Sequence, residues 1–416
     1  MIKEKSAQHW SVILVMGLLT AIGPLSIDMY LPAFPEIAAD LRTTVAEISL
    51  SLSSFFIGIS AGQLLYGPLL ERYGRKRPLY AGLCLYFLAA SGCALSRSPE
   101  MLIWFRFFQA IGGCVGMVAA RAMVRDLFSV KDNARIFSLL VLVVSVSPIL
   151  APAFGGFITT ALGWRYVFVA LIVVVLLILA GTYFILPESK APDPAFSLAP
   201  VPILRHFTAI LKDPQFQVYA VAGSVSYGGL YAYVSGSPYV FMILHGVNRQ
   251  QFGWIFAIIA AGLISASQAN NLALRKFSNE QVIRFASLSQ TVIGLLMVLS
   301  VVLAWDNLYL VMVLIFFFLA CQGFIFPNAT ALALAPMGNQ AGNASALIGT
   351  IQMSIGASAS ALVSVLEHQS ALPMTAVMCS CALVAFIIFS SGQRRASRRA
   401  AKELVLQEEV ETITDF

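Results

Sequence analysis

Asp28 and Arg106 are the two charges in this chain with the strongest reason to be functional. Each falls inside a long apolar run, where a charge is expensive to keep. Asp28 lies about 18 residues into the first run, just ahead of Met29-Tyr30-Leu31-Pro32. Arg106 lies about six residues into the fourth, which is entered from the other side. At a rise of about 1.5 Å per residue, the two come to comparable depth. A carboxyl group held between the opposing pulls of burial and a nearby guanidinium suits proton exchange. Two placements of Asp28 fit the sequence. It is either a carboxylate facing a central cavity or a helix-end residue at the water interface, since Pro32 and Pro35 mark a nearby boundary.

Three further patterns bear on mechanism. Residues 67–79, from Gly67 through Glu71, Arg72, Gly74, Arg75, Lys76 and Arg77, place four positive charges within six residues between two apolar runs. A basic connection this short reads as a tight hairpin between membrane helices. The fifth run contains Pro148, Pro152, Gly155 and Gly156, which free carbonyls and allow a bend and close packing. The eleventh carries Gly342, Ser345, Gly349, Ser354, Gly356 and Ser358, a small-residue surface suited to close helix contact. Gly323 and Pro327-Asn328 mark a bend in the tenth. Tyr30, Tyr231, Tyr233, Tyr239 and Phe241 are candidates for the walls of an amphipathic cavity, with Gln109 beside Arg106.

Other chemistry finds little support. Residues 67–76 lack the Gly-Lys-Ser/Thr ending of a phosphate-binding loop. His9, His206, His245 and His368 are scattered near run ends and make no metal cluster. The six cysteines all sit in apolar runs and read as small packing residues. A net charge of +6 raises nucleic acid, but the charges lie in hairpins and tails, so no nucleic acid is expected. No cofactor, no metal and no enzymatic activity are expected.

The elements that hold these residues follow from composition. The 416 residues are 59% hydrophobic and 11% charged, too little charge to cover a soluble protein of this length. The fold class is all-α and polytopic, with twelve transmembrane helices in two six-helix halves. The expected spans are 10–31, 47–69, 78–96, 101–124, 135–160, 165–186, 216–241, 250–272, 281–304, 308–330, 343–366 and 372–391. The expected organisation is a bundle over 1–187, a proline-rich linker over 188–215, a second bundle over 216–392 and a tail over 393–416. Two bundles of similar length suggest a duplicated unit with the substrate site between the halves. Of the 26 Lys and Arg residues, twenty fall on one set of alternate connections and tails, four on the other, and Arg106 and Arg121 within the fourth run. Both termini are therefore expected on the cytoplasmic side.

These motifs resemble the major facilitator superfamily. Gly67-x-x-x-Glu71-Arg72-x-Gly74-Arg75-Lys76 resembles its signature hairpin between spans two and three. Arg106-Phe-Phe-Gln109-Ala-Ile-Gly112-Gly113 resembles its fourth-span motif, whose arginine is linked to proton coupling. Pro148 to Gly156 resembles the fifth-span motif of antiporters. Asp28-Met-Tyr-Leu-Pro32-Ala-Phe-Pro35 resembles the first-span motif of the bicyclomycin and chloramphenicol resistance branch (Bcr/CflA). One departure is Glu71, where the family has Asp. The matching hairpin of the second half, near 271–277, keeps Arg275-Lys276 but lacks the glycines and the acid.

The resemblance implies a monomeric drug/proton antiporter of the bacterial inner membrane, working by alternating access on drugs and protons. Asp28 and Arg106 would serve proton and substrate. Glu71, Arg72 and the basic residues after them would join the two halves at an inner gate. Pro148, Pro152, Gly155 and Gly156 would shape the fifth helix against proton leak. The alternative is a proton-coupled nutrient importer on the same fold; a sensor would need a module outside the membrane.

Overall fold

The computed structural model describes residues 2–128, 130–194, 198, 207–366 and 370–392. The expected tail 393–416, parts of the 188–215 linker, His206 and His368 lie outside them. The described residues hold twelve long helices. In the first half these are α1 (Ile2–Asp28), α2 (Val45–Tyr73), α3 (Lys76–Ala94), α4 (Pro99–Leu127), α5 (Val130–Leu162) and α6 (Arg165–Phe184). In the second they are α7 (Pro214–Ser237), α8 (Arg249–Ala273), α9 (Asn279–Val302), α10 (Leu308–Leu334), α11 (Ala341–Val365) and α12 (Leu372–Gly392).

Helix starts are written in the sequence. Thr44, Ser98, Asp213, Asn248, Ser278 and Asn307 each accept a backbone N–H from the first turn of the helix that follows. Asn248 with Gln251 and Ser278 with Gln281 complete reciprocal capping boxes. Ten helices are long and apolar enough to cross a membrane. The other two are α3, which opens on Lys76 and Arg77, and α7, which is rich in Gly, Ser and Tyr.

Two segments depart from the expected spans. After α1 the chain makes a 3-10 turn (Leu31–Ala33) and a short helix (Phe34–Asp40). Pro32 and Pro35 begin these pieces, because a helix start leaves the missing N–H without consequence. After α7, Pro238–Leu244 winds as a π-helix. Pro148 and Pro152 leave α5 a single helix.

The connection α2–α3 and the start of the linker lie at one end of the bundle, here the hairpin end; the 34–40 helix lies at the far end. The halves meet along α2 with α11 and α5 with α8. The α2 seam is made of hydroxyls. Ser49 pairs with Ser235, Ser53 Oγ donates to Ser360 Oγ (2.9 Å), and Ser60 Oγ pairs with Ser354 Oγ (2.8 Å). Of the small residues expected to form the α11 contact surface, Gly349 lies against Gln63 of α2 and Gly356 against the Tyr231 ring of α7, while Ser358 is exposed. One continuous apolar core runs through the first half and into the far end of the second, taking in Tyr233, Phe241, Phe252 and Phe256. At the hairpin end the second half has a separate core around Phe216, Ile283, Ala329, Leu347 and Phe389. The apolar core thus runs across both halves at the far end, while at the hairpin end the second half keeps a core of its own.

Candidate functional site

Asp28 is the last residue of α1 and only 5% exposed. It faces the second half, where Tyr227, Tyr231 and Tyr233 of α7 lie within its electrostatic reach. Among the described residues it has no hydrogen-bond or ion-pair partner. A carboxyl group so buried and unpaired is costly unless the site has a use for it. These tyrosines belong to an aromatic cluster. Tyr231 packs on Phe56 of α2 with centroids 4.6 Å apart, and on Tyr227 at 5.5 Å. Tyr227 packs on Phe326 at 4.7 Å, and Tyr233 stacks on Phe256 at 5.5 Å. Tyr231 donates to the Met353 sulfur (3.5 Å), and the buried Tyr233 hydroxyl is without a partner among the described residues. Polar groups with spare bonding capacity therefore sit where the halves meet.

Arg106 is elsewhere. It is fully buried within the first half, with its guanidinium 4.1 Å from the Phe55 ring centre, 4.6 Å from Tyr30 and 6.0 Å from Phe168. These cation–π contacts stand in for a counter-ion. Nη1 donates to Gln109 Oε1 (2.8 Å), one turn along α4, while Nε and Nη2 have no partner among the described residues. The structure does not bring Asp28 and Arg106 into an ion pair. Equal depth does not put two residues on facing sides of their helices. Tyr30 and Gln109, expected on the cavity wall, lie within the first half. Tyr30 packs on Phe34 and Phe168, and its hydroxyl pairs with Ser51 (3.0 Å). Tyr231 and Tyr233 lie within electrostatic reach of Asp28, and Phe241 belongs to the far-end core.

The hairpin residues form a charge network on the first half. Arg75 Nε donates to Asp126 Oδ2 at the end of α4 (2.8 Å), and Nη1 to Glu71 Oε1 (2.9 Å). Burial weakens the Arg75 charge, and the Asp126 and Glu71 carboxylates outweigh it, holding the guanidinium more firmly protonated than usual. The far carboxylate oxygen of Glu71 pairs with Lys190 of the linker. Glu188 accepts the backbone N–H groups of Arg75 (2.7 Å) and Lys76 (3.1 Å), and Lys76 Nζ donates to the Leu186 carbonyl (2.8 Å). A carboxylate is favoured at a helix start, where N–H groups are unpaired. Gly74 bends the hairpin at φ 80°, a backbone state closed to side-chain residues, and lies against Lys190 and Glu188. Sequence reasoning missed Asp126, Glu188 and Lys190 as partners, although the run Pro187-Glu188-Ser189-Lys190 follows α6 directly.

In α5, Gly155 and Gly156 make the close contacts expected of them. A Cβ on Gly155 would strike the carbonyl of Met29, and one on Gly156 would press on the carbonyl of Arg249 across the seam.

Comparison with known proteins agrees with this architecture. Residues 16–361 match the family described as Major Facilitator Superfamily. A bicyclomycin resistance protein homolog of Haemophilus influenzae is 31% identical, covering 91% of this chain and 94% of the relative. A chloramphenicol resistance protein of Pseudomonas aeruginosa is 26% identical, covering 93% and 92%. Among solved structures, a D-xylose-proton symporter superposes with a TM-score of 0.72 at 15% identity, covering 91% of this chain and 97% of the other. At that identity the likeness speaks for the fold.

Proposed function

Since the chain belongs to the Major Facilitator Superfamily, we propose that it is a proton-coupled multidrug exporter working by alternating access, with Asp28 as its proton and substrate group. The observation that carries this reading is Asp28 itself: a 5% exposed carboxylate with no partner among the described residues, on the surface where the halves meet. Such a group takes up a proton or a polar drug group in turn, and whichever it holds changes the balance between two arrangements of the halves. The aromatic rings of Phe56, Tyr227, Tyr231 and Phe326 suit amphipathic molecules of varied shape. The excess of Lys and Arg on one set of connections supports both termini at the cytoplasm, with the hairpin end inside.

The driving force is sufficient. One charge moved through 100 mV is worth about 2.3 kcal/mol. One pH unit adds about 1.4 kcal/mol per proton. Together they sustain a gradient of several hundredfold, roughly, for a neutral substrate exchanged with one proton.

The test is proton release from purified protein when a drug such as chloramphenicol is added. The expected result is release by the wild type and none by Asp28→Asn, with lost resistance in cells. Release and resistance retained by Asp28→Asn would overturn the assignment.

A further inference from the structure

The far end carries an ion pair that joins the two halves and belongs to none of the sequence motifs. Glu36 stands in the 34–40 helix of the first half. Its Oε1 accepts the Trp164 backbone N–H (3.1 Å) at the start of α6, and its Oε2 accepts from Arg249 Nη2 (2.8 Å), the first residue of α8 in the second half. Each partner is fixed on its own side. Asp40 Oδ2 accepts from Trp164 Nε1 (3.1 Å) and Arg165 Nη1 (2.7 Å), and Arg165 Nη2 reaches the Ser96 carbonyl (3.2 Å), so the short helix is fastened to α6 and to the α3–α4 turn. Arg249 is set by the Asn248–Gln251 capping box. Beneath the ion pair, backbones approach directly: Gly156 under the Arg249 carbonyl, and Gly253 of α8 against the Ala153 backbone of α5.

We propose that Glu36 and Arg249 are the latch of the far-end gate in the transport cycle, acting as positioning residues that set how often this end opens. The inference rests on the alternating-access reading. The pair is built to release. Its side chains are 27% and 30% exposed, so water replaces part of the lost attraction. When Arg249 leaves, Glu36 keeps the Trp164 N–H and is not stranded. Where α5 and α8 approach beneath the pair, Gly156 and Gly253 bring backbone against backbone. The latch is therefore strong enough to bias the gate and weak enough to release.

The experiment is hydrogen exchange on the full chain in lipid nanodiscs, without drug, read on peptides covering 153–163 and 249–258. Glu36→Gln and Arg249→Met should each raise exchange there about fivefold, the ratio that corresponds to about 1 kcal/mol. The double variant should match the singles, because the same contact is lost once. Arg249→Lys, which keeps the charge, should restore most of the protection. Unchanged exchange in the single variants, or effects that multiply in the double, would overturn the latch. Exchange behaving as expected while Asp28→Asn still releases protons would keep the latch and sink the Asp28 reading.

Discussion

Replacing Arg75 by methionine tests the hairpin network most directly. The Arg75 side chain is 3% exposed and serves two carboxylates. It reaches Asp126 through Nε at 2.8 Å and Glu71 through Nη1 at 2.9 Å. Removing one member of a fully buried pair costs about 3–5 kcal/mol, because the remaining charge is stranded. Here the carboxylates are 19% and 31% exposed, and each keeps a second partner, Ser189 for Asp126 and Lys190 for Glu71. Water and these partners relieve part of the cost, so the expected loss is about 2 kcal/mol. Arg75→Met with Asp126→Met should recover about half of it, since replacing both partners by apolar groups is close to neutral. Lys190→Met should cost less than about 1 kcal/mol, because Lys190 is 42% exposed. The assay is thermal unfolding of the purified protein in one detergent, ranking the three variants and wild type. A Lys190→Met variant as unstable as Arg75→Met would refute the reasoning, as would a double variant no more stable than Arg75→Met.

Three glycine substitutions follow from the backbone. Gly155→Ala drives a Cβ into the Met29 carbonyl and should lower the unfolding temperature by the cost of overpacking, about 1–3 kcal/mol. Gly67→Ala, where a Cβ meets nothing within 4 Å, should leave it unchanged in the same scan. Gly74→Ala forces a side chain onto φ 80° and should cost about 1–3 kcal/mol, loosening the hairpin to added protease.

The spans were legible because apolar run length reports lipid contact, and six polar caps marked where helices begin. The same logic weakens for α7, whose Gly, Ser and Tyr residues face α11 and α10 rather than lipid. The 34–40 helix is not legible in the sequence, because Pro32 and Pro35 signal a span boundary and a helix start alike. Asp28 and Arg106 were identifiable as buried charges from cost alone. Their separation was not, since it depends on the rotation of α1 and α4 about their axes. The partners of the hairpin were hidden for a different reason. Glu188 and Lys190 lie more than a hundred residues from Arg75 and Glu71, and no local pattern records such a pairing.

The separation of Asp28 from Arg106 changes what coupling requires on the antiport reading. The two form no ion pair, yet three successive residues of α1 and its following turn relate to three parts of the molecule. Asp28 faces the α7 tyrosines of the second half. The Met29 carbonyl lies against Gly155 of α5. The Tyr30 ring lies on the Arg106 guanidinium. A shift of this short segment when Asp28 changes partner is therefore felt by α4 and α5 together. Close packing transmits such a shift, because neither a carbonyl on a glycine nor a ring on a guanidinium leaves slack. The next residue of α5, Gly156, lies under the carbonyl of Arg249, whose side chain holds Glu36. A contiguous path thus runs from the buried carboxyl group to the far-end ion pair through Met29, Gly155, Gly156 and Arg249. On the antiport reading, residues 148–156 of α5 would link the Asp28 site to the far-end ion pair, while Arg106 packs on the Tyr30 ring and makes no ion pair with Asp28.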